Sequence, residues 1–197
     1  FFITRRLVRA NCTGRVRGMH IRTGFRDDRE AIIGLFTDAF SDAEGPEEGR
    51  AIGLLTAALL DRTPAADIIV FSAWRDEAIA GCILFKRLTF EDDPRDVFLM
   101  APVAVATGCQ GEGIGQALIS HGLDALRGRG VDVAVTYGDP AYYSRTGFVP
   151  VTEEVVPAPL PLSQPEGWQA QTLNDAPLEP IRGRARCVAA FDNPDYW

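Results

Sequence analysis

Apolar positions along the chain switch between two periods, and each switch marks a predicted element. His20 to Phe25 reads as a short strand. Ile32, Ile33, Phe36 and Phe40 then recur at helical spacing, with Asp27 or Asp28 placed to cap the helix. Ser41 to Pro46 has turn chemistry. A second helix carries Ile52, Leu55, Leu59 and Leu60 on one side and stops at Thr63-Pro64, because the residue before a proline avoids the helical region. Ile68 to Trp74 and Ala78 to Leu88 flank Arg75-Asp76-Glu77 and predict a hairpin. A turn at Asp92 to Arg95 leads into a third apolar strand, Val97 to Val105. A glycine-rich loop follows, then a helix from near Gly113 to Leu126, ended by Arg127-Gly128-Arg129-Gly130. Val131 to Tyr137 is a β-branched buried strand, and a short helix holds Tyr142 and Tyr143. Beyond Phe148 the pattern weakens. Val156 to Pro165 is a proline-rich crossing segment, and Trp168 to Leu173 and Arg184 to Phe191 are candidate strands. Strands first, then a strand–helix–strand crossover, predict an α/β sheet of mixed direction.

Composition narrows the classes. The 197 residues suit one domain, and 46% hydrophobic with 24% charged residues is ordinary globular usage. No run approaches the ~20 apolar residues of a membrane span, so the expectation is a cytoplasmic protein with no membrane partner. Cys12, Cys82, Cys109 and Cys187 lack metal or redox spacing and read as reduced thiols. The net charge of −7 hides an asymmetry: residues 1–18 hold five arginines and no acid, which leaves −12 from Met19 onward. So acidic a body argues against a nucleic-acid partner and suits a cationic acceptor. Met19-His20-Ile21-Arg22 reads as a native start. Residues 1–18 are therefore expected to be a non-native or upstream extension, the rival being an Arg-rich targeting peptide. Residues 19–197 are expected to form one domain, with a core over 19–151 and a proline-rich segment and C-terminal strands over 152–197.

Candidate chemistry concentrates in Gln110-Gly111-Glu112-Gly113-Ile114-Gly115, between strand and helix. A helix start offers unpaired N–H groups and partial positive charge, and glycines let an anion approach the backbone. A dinucleotide-binding turn would need its third glycine where Gln116 stands, and a P-loop would need a Gly-Lys-Ser/Thr ending. What fits is Q/R-x-x-G-x-G/A, on Gln110, Gly113 and Gly115.

That loop is similar to the acyl-CoA pyrophosphate loop of the GNAT (Gcn5-related) N-acetyltransferases. Leu99 to Val105 resembles the strand of that family that splays from its neighbour, and Gly138-Asp139-Pro140-Ala141-Tyr142-Tyr143-Ser144-Arg145-Thr146-Gly147-Phe148 resembles its closing helix and Gly-Phe turn. The wording is most similar to YhbS-like predicted acetyltransferases. The resemblance covers Met19 to Val151 well and Trp168 to Phe191 loosely. It implies a GNAT fold: a mixed central sheet of about six or seven strands, flanking helices, and a splayed strand pair that binds acyl-CoA. It also implies an acetyl-CoA cosubstrate, no metal, and transfer to a small-molecule or peptide amine in a ternary complex.

On this resemblance the cosubstrate lies along Val103, Ala104 and Val105 and on Gln110, Gly111, Glu112, Gly113, Ile114 and Gly115. Tyr143, four residues before the Gly-Phe turn, is the expected general acid, with Tyr142 one register away. Two departures stand out. Leu99 occupies the position where relatives often carry a carboxylate, and Asp96 points to the opposite face. Glu44, Glu47, Glu91 and Asp92 remain as loop candidates for the base. Glu112 stands where relatives usually carry Arg or Lys, with Arg127, Arg129 and Arg145 available for phosphates. Both departures favour the alternative, a non-catalytic acyl-CoA-binding module of the same fold. Asp139 is expected to cap its helix. His20 and His121 belong to no triad or metal motif. The tail from Pro157 to Trp197 is open to pairing with a neighbour, as in a homodimer, or with its own sheet.

Overall fold

The computed structural model describes residues 18–174 and 176–197. The expectation for residues 1–18 therefore falls almost entirely outside the described residues. The elements run β1 (Met19–Thr23), α1 (Arg29–Glu44), α2 (Pro46–Arg62), β2 (Ile68–Arg75), β3 (Ala78–Phe90), β4 (Asp93–Val105), α3 (Ile114–Gly128), β5 (Val133–Tyr137), α4 (Pro140–Tyr143), β6 (Val149–Pro150), β7 (Trp168–Thr172) and β8 (Ala185–Arg186). Seven strands lie in the order β1-β2-β3-β4-β5-β7-β6, and β8 adds a short pairing on β3. The β4–β5 pair is parallel and joined through α3, while every other pairing is antiparallel. No helix among the described residues is long and apolar enough to cross a membrane.

Alternation along the strands divides the apolar residues into two clusters, one on each face of the sheet. On β3, Cys82, Leu84 and Leu88 face α1 and α2, where Ile32, Phe36, Ile52 and Leu59 meet them. Ile83 and Phe85 face α3 through Leu118, Ile119 and Leu123. Burying each cluster between helix and sheet is the main stabilising term, since apolar area removed from water contributes about 25 cal/mol per Å².

Several local expectations change. Ser41 to Glu44, expected in a turn, continue α1, and Gly45 alone separates it from α2. Asp28 occupies the N-cap of α1, but its side chain makes no capping bond and instead pairs with Arg22 at 3.1 Å. Of Arg184 to Phe191 only Ala185–Arg186 is strand; Ala189–Phe191 is a 3₁₀ turn that tucks Phe191 into the α1–α2 cluster. β4 begins at Asp93, closer to the hairpin than the Pro94 suggested. Asp93 and Arg95 form an ion pair at 2.6 Å, and Arg95 also donates to the Glu179 and Pro180 carbonyls, which pins the tail.

Candidate functional site

β4 and β5 pair only from Val97↔Val133 to Met100↔Thr136. Beyond that rung β4 continues to Val105, whereas β5 stays paired with β7 and ends at Tyr137, so the edge of β4 is left open and the two strands form a fork. One observation on β4 explains the change of course. Ile83 opposes Val103 and Phe85 opposes Met100, which places an extra residue on β4 at Ala101-Pro102. A bulge of this kind bends a strand and reverses which side chains face each way. Leu99 accordingly faces the α1–α2 cluster, whereas Val103 faces α3. The Ala106 N–H donates to the Ala80 carbonyl across β3. By alternation, the main-chain groups of Val103 and Val105 then point to the open edge of the fork. The Gln110 side chain donates there to the Val105 carbonyl at 3.3 Å.

The glycine loop closes the mouth of the fork. Gly111 (φ 80°) and Gly113 (φ 84°) both adopt the left-handed region, which a residue with Cβ enters at a cost, and Gly113 is the N-cap of α3. The Ala117 N–H donates to the Gly113 carbonyl, so the amides of Ile114, Gly115 and Gln116 have no acceptor within the helix. Ile114 is buried and anchors this first turn against the sheet. A Cβ on Gly115 would stand 2.2 Å from the Tyr142 hydroxyl, so this glycine admits the phenol to the helix start. Glu112 pairs with Arg75 at 2.5 Å, and this hydrogen bond holds the Glu112 carboxyl below its ordinary pKa and raises that of Arg75.

The two tyrosines separate. Asp139 caps α4 as expected, accepting from the Ala141 N–H at 2.9 Å. A helical step of about 100° then turns neighbouring side chains to different surroundings. Tyr142 leans on the α3 start, half-buried. Tyr143 is 1% exposed, its ring edge-on to Phe148 at 6.0 Å. Burial, with the neighbouring Tyr142 adding to it, drives the Tyr143 phenol well above its ordinary pKa, and the Thr136 hydroxyl beside it opposes this only in part. Thr136 closes the last paired rung, so Tyr143 sits at the base of the fork.

Carboxylates sort by distance. Glu91 and Asp92 lie in the β3–β4 hairpin, at the opposite end of β4, roughly 30 Å of strand from the fork at about 3.3 Å per residue. Asp96 is held by Arg87 on the face opposite to Leu99, as the alternation predicted. The α1–α2 corner comes near instead: Thr107, just past β4, donates to Asp42 at 2.6 Å. Glu44 and Glu47 belong to that corner, as does Glu48, whose carboxyl is raised by burial and then by Glu44. Arg127 and Arg129 lie roughly 20 Å from the loop, at the far end of α3, given about 1.5 Å per helical residue. Among the described residues no three His, Cys, Asp or Glu side chains gather as a metal site.

Sequence reasoning placed Arg75 only in a hairpin turn and did not single out Lys86, the chain's one lysine, which is buried in β3. Neither role leaves a local signal, because each depends on a segment distant in the chain.

A parallel strand pair that parts over a glycine-capped helix start is the framework of an α/β protein that takes an anionic ligand. Residues 29–148 match the model of the Acetyltransferase (GNAT) family, and the chain belongs to that family. It is 34% identical over 151 residues to the uncharacterized N-acetyltransferase YjhQ of Escherichia coli K12, covering 72% of this chain and 83% of that one. With YhbS of the same strain, also named an uncharacterized N-acetyltransferase, identity is 32% over 133 residues, or 66% of this chain and 73% of that one. A GNAT family acetyltransferase from Brucella melitensis, solved with acetyl-CoA, superimposes with a TM-score of 0.69 at 28% identity, over 88% of this chain and 98% of that one. E. coli YhbS in complex with CoA gives 0.73 at 24% identity, over 93% and 97%, a likeness of fold.

Proposed function

We propose that the chain is an acetyl-CoA-dependent N-acetyltransferase that passes its acyl group directly to an amine held in a ternary complex. The fork supports this most strongly: its open β4 edge runs from the bulge straight into a helix start whose amides lack partners. Gly111 and Gly113 fit a phosphate cradle, since both have positive φ and nothing within 4 Å of an added Cβ. Acetyl-CoA, when bound, supplies the thioester.

The chain's residues do the rest. The amides of Ile114, Gly115 and Gln116 hold the pyrophosphate and so set the depth of the thioester, where positioning contributes much of the rate. The N–H of Val103 or Val105, aimed into the fork along Ala104, orients and polarises the carbonyl. Tyr143, kept protonated by burial, delivers a proton to the departing sulfur at the base of the fork. With Leu99 buried and apolar, the ammonium proton goes through water to the α1–α2 corner, where Glu44, Glu47 and Glu48 also attract a cationic acceptor.

A non-catalytic acyl-CoA-binding module is the second reading, favoured by the burial of Tyr143 and by Leu99. One experiment separates them. Acetyl-CoA and CoA are titrated calorimetrically against ATP and NAD, and turnover is followed on a panel of amines. The catalytic reading expects CoA species alone to bind, Gly113→Glu to abolish binding, and Tyr143→Phe to cut turnover about a hundredfold or more at unchanged affinity. Binding without turnover on any amine would favour the module. Loss of turnover in Tyr142→Phe but not in Tyr143→Phe would move the proton donor by one residue.

A further inference from the structure

The glycine loop has no cation of its own. From Thr107 to Gln116 the one formally charged side chain is Glu112, a carboxylate set between the two glycines of the phosphate cradle. A pyrophosphate arriving there would meet repulsion unless positive charge came from elsewhere in the fold. Arg75 is positioned to bring it. Ile69, Phe71 and Ala73 of β2 face α3, and Arg75, two residues on, emerges on that same side. Its backbone is held by both neighbours, opposite Met19 of β1 and Ala78 of β3. From that fixed base Nη2 reaches Oε2 of Glu112 at 2.5 Å, beside the Gly113 cap.

This contact engages the guanidinium at one point only. The buried Nε–H of Arg75 has no hydrogen-bond partner among the described residues, so part of the donor fork is in reserve. The pair is also open to water, with the two side chains 27% and 42% exposed. Ion pairs this exposed favour the closed state by less than about fivefold. A pyrophosphate carries more charge than a carboxylate and matches the planar fork with two oxygens. The field of the α3 start would draw it to the same place.

We propose that Arg75 is the phosphate ligand the loop itself lacks, held in place by Glu112 until an acyl-CoA arrives. On binding, the guanidinium exchanges one carboxylate oxygen for pyrophosphate oxygens, and Glu112 swings to solvent. Glu112 is then a built-in competitor that lowers affinity for the cosubstrate while keeping Arg75 oriented toward the loop. No bond other than hydrogen bonds changes in this exchange. The proposal rests on the reading of the glycine loop as the acyl-CoA site.

The test is calorimetric titration of acetyl-CoA, and of S-acetylpantetheine, which has no phosphate, into the wild type and the Arg75→Ala, Glu112→Gln and doubly substituted variants. Arg75→Ala is expected to weaken acetyl-CoA about tenfold or more. Glu112→Gln is expected to tighten it about two- to fivefold, since the competitor is gone and the cation remains. The double variant should resemble Arg75→Ala, and S-acetylpantetheine should respond to none of the changes. Equal affinities in all four proteins would overturn the proposal, as would a Glu112→Gln protein that binds acetyl-CoA more weakly than the wild type. Should Arg75→Ala not fold by its melting curve, Glu112→Gln decides the matter alone. Failure of the wild type to bind any CoA species would sink the acyl-CoA reading itself, and that outcome is visible before any variant is made.

Discussion

Lys86 lies in the middle of β3, fully buried, with its Nζ donating to the Ala101 carbonyl at the bulge and sitting 3.5 Å from the Phe191 ring centroid. No carboxylate forms an ion pair with it among the described residues. Burial therefore drives its pKa well below the ordinary lysine value. The sign follows from proton binding: between the lowered folded pKa and about 10.4 the unfolded chain binds the extra proton, so this lysine makes stability rise with pH. Where it dominates, the slope approaches about 1.4 kcal/mol per pH unit. The Cys187 thiol near it is pushed up to about 11, chiefly by burial, and so is neutral over all but the top of the window. Lys86→Met should remove that slope, and its stability relative to wild type should be most favourable at low pH. Urea melts at several pH values measure the difference; parallel curves for the two proteins would show that Lys86 keeps an ordinary pKa.

At the scale of elements, α3 presses on the sheet through glycines as much as through its leucines. A Cβ on Gly122 would stand 2.5 Å and 2.7 Å from atoms of the Phe85 ring, which is itself fully buried. Gly122→Ala gains about 1 kcal/mol of helix propensity but overpacks a site that costs about 1–3 kcal/mol, so a net loss of about 1 kcal/mol is expected. Gly34, in the middle of α1, has no atom within 4 Å of an added Cβ. The same change there should stabilise by about 0.5–1 kcal/mol. Chemical denaturation of both variants checks the pair of signs. The buried stripes of α1, α2 and α3 were legible from apolar spacing, because a helix buries one face and its period shows in any window. The junction of α1 and α2 was not: of the Ser41 to Pro46 turn only Gly45 lies outside the helices. The bulge on β4 was not. A proline in a strand signals an irregularity, but whether it ends the strand or bends it depends on the partners at each side.

For the whole molecule, the two apolar clusters share one sheet as their common wall, and the tail seals one of them. Trp197 is 3% exposed, stacks edge-on with Trp168 at 6.0 Å, and donates its indole N–H to the Phe191 carbonyl at 3.1 Å. Neither cluster can open without exposing the sheet that backs the other. A single cooperative transition is expected, with far-UV and near-UV signals coincident in urea. Two separated transitions would mean that the tail or one helical layer comes away by itself.

What the chain determined by itself is whatever repeats within a short window: helix and strand periods, the glycine spacing of the loop, the Asp139 cap, and through these the family. Those features persist because they rest on backbone geometry and capping that neighbours in sequence supply. The tertiary structure decided everything that joins distant segments. It sent Tyr143 to the base of the fork and Tyr142 to Gly115, and it carried Glu91 and Asp92 away from the site. It also set Lys86 beneath the bulge and brought Arg75 to Glu112 across 37 positions of sequence. Contacts of that range follow from which strands and helices become neighbours in space, and no window of sequence contains both partners.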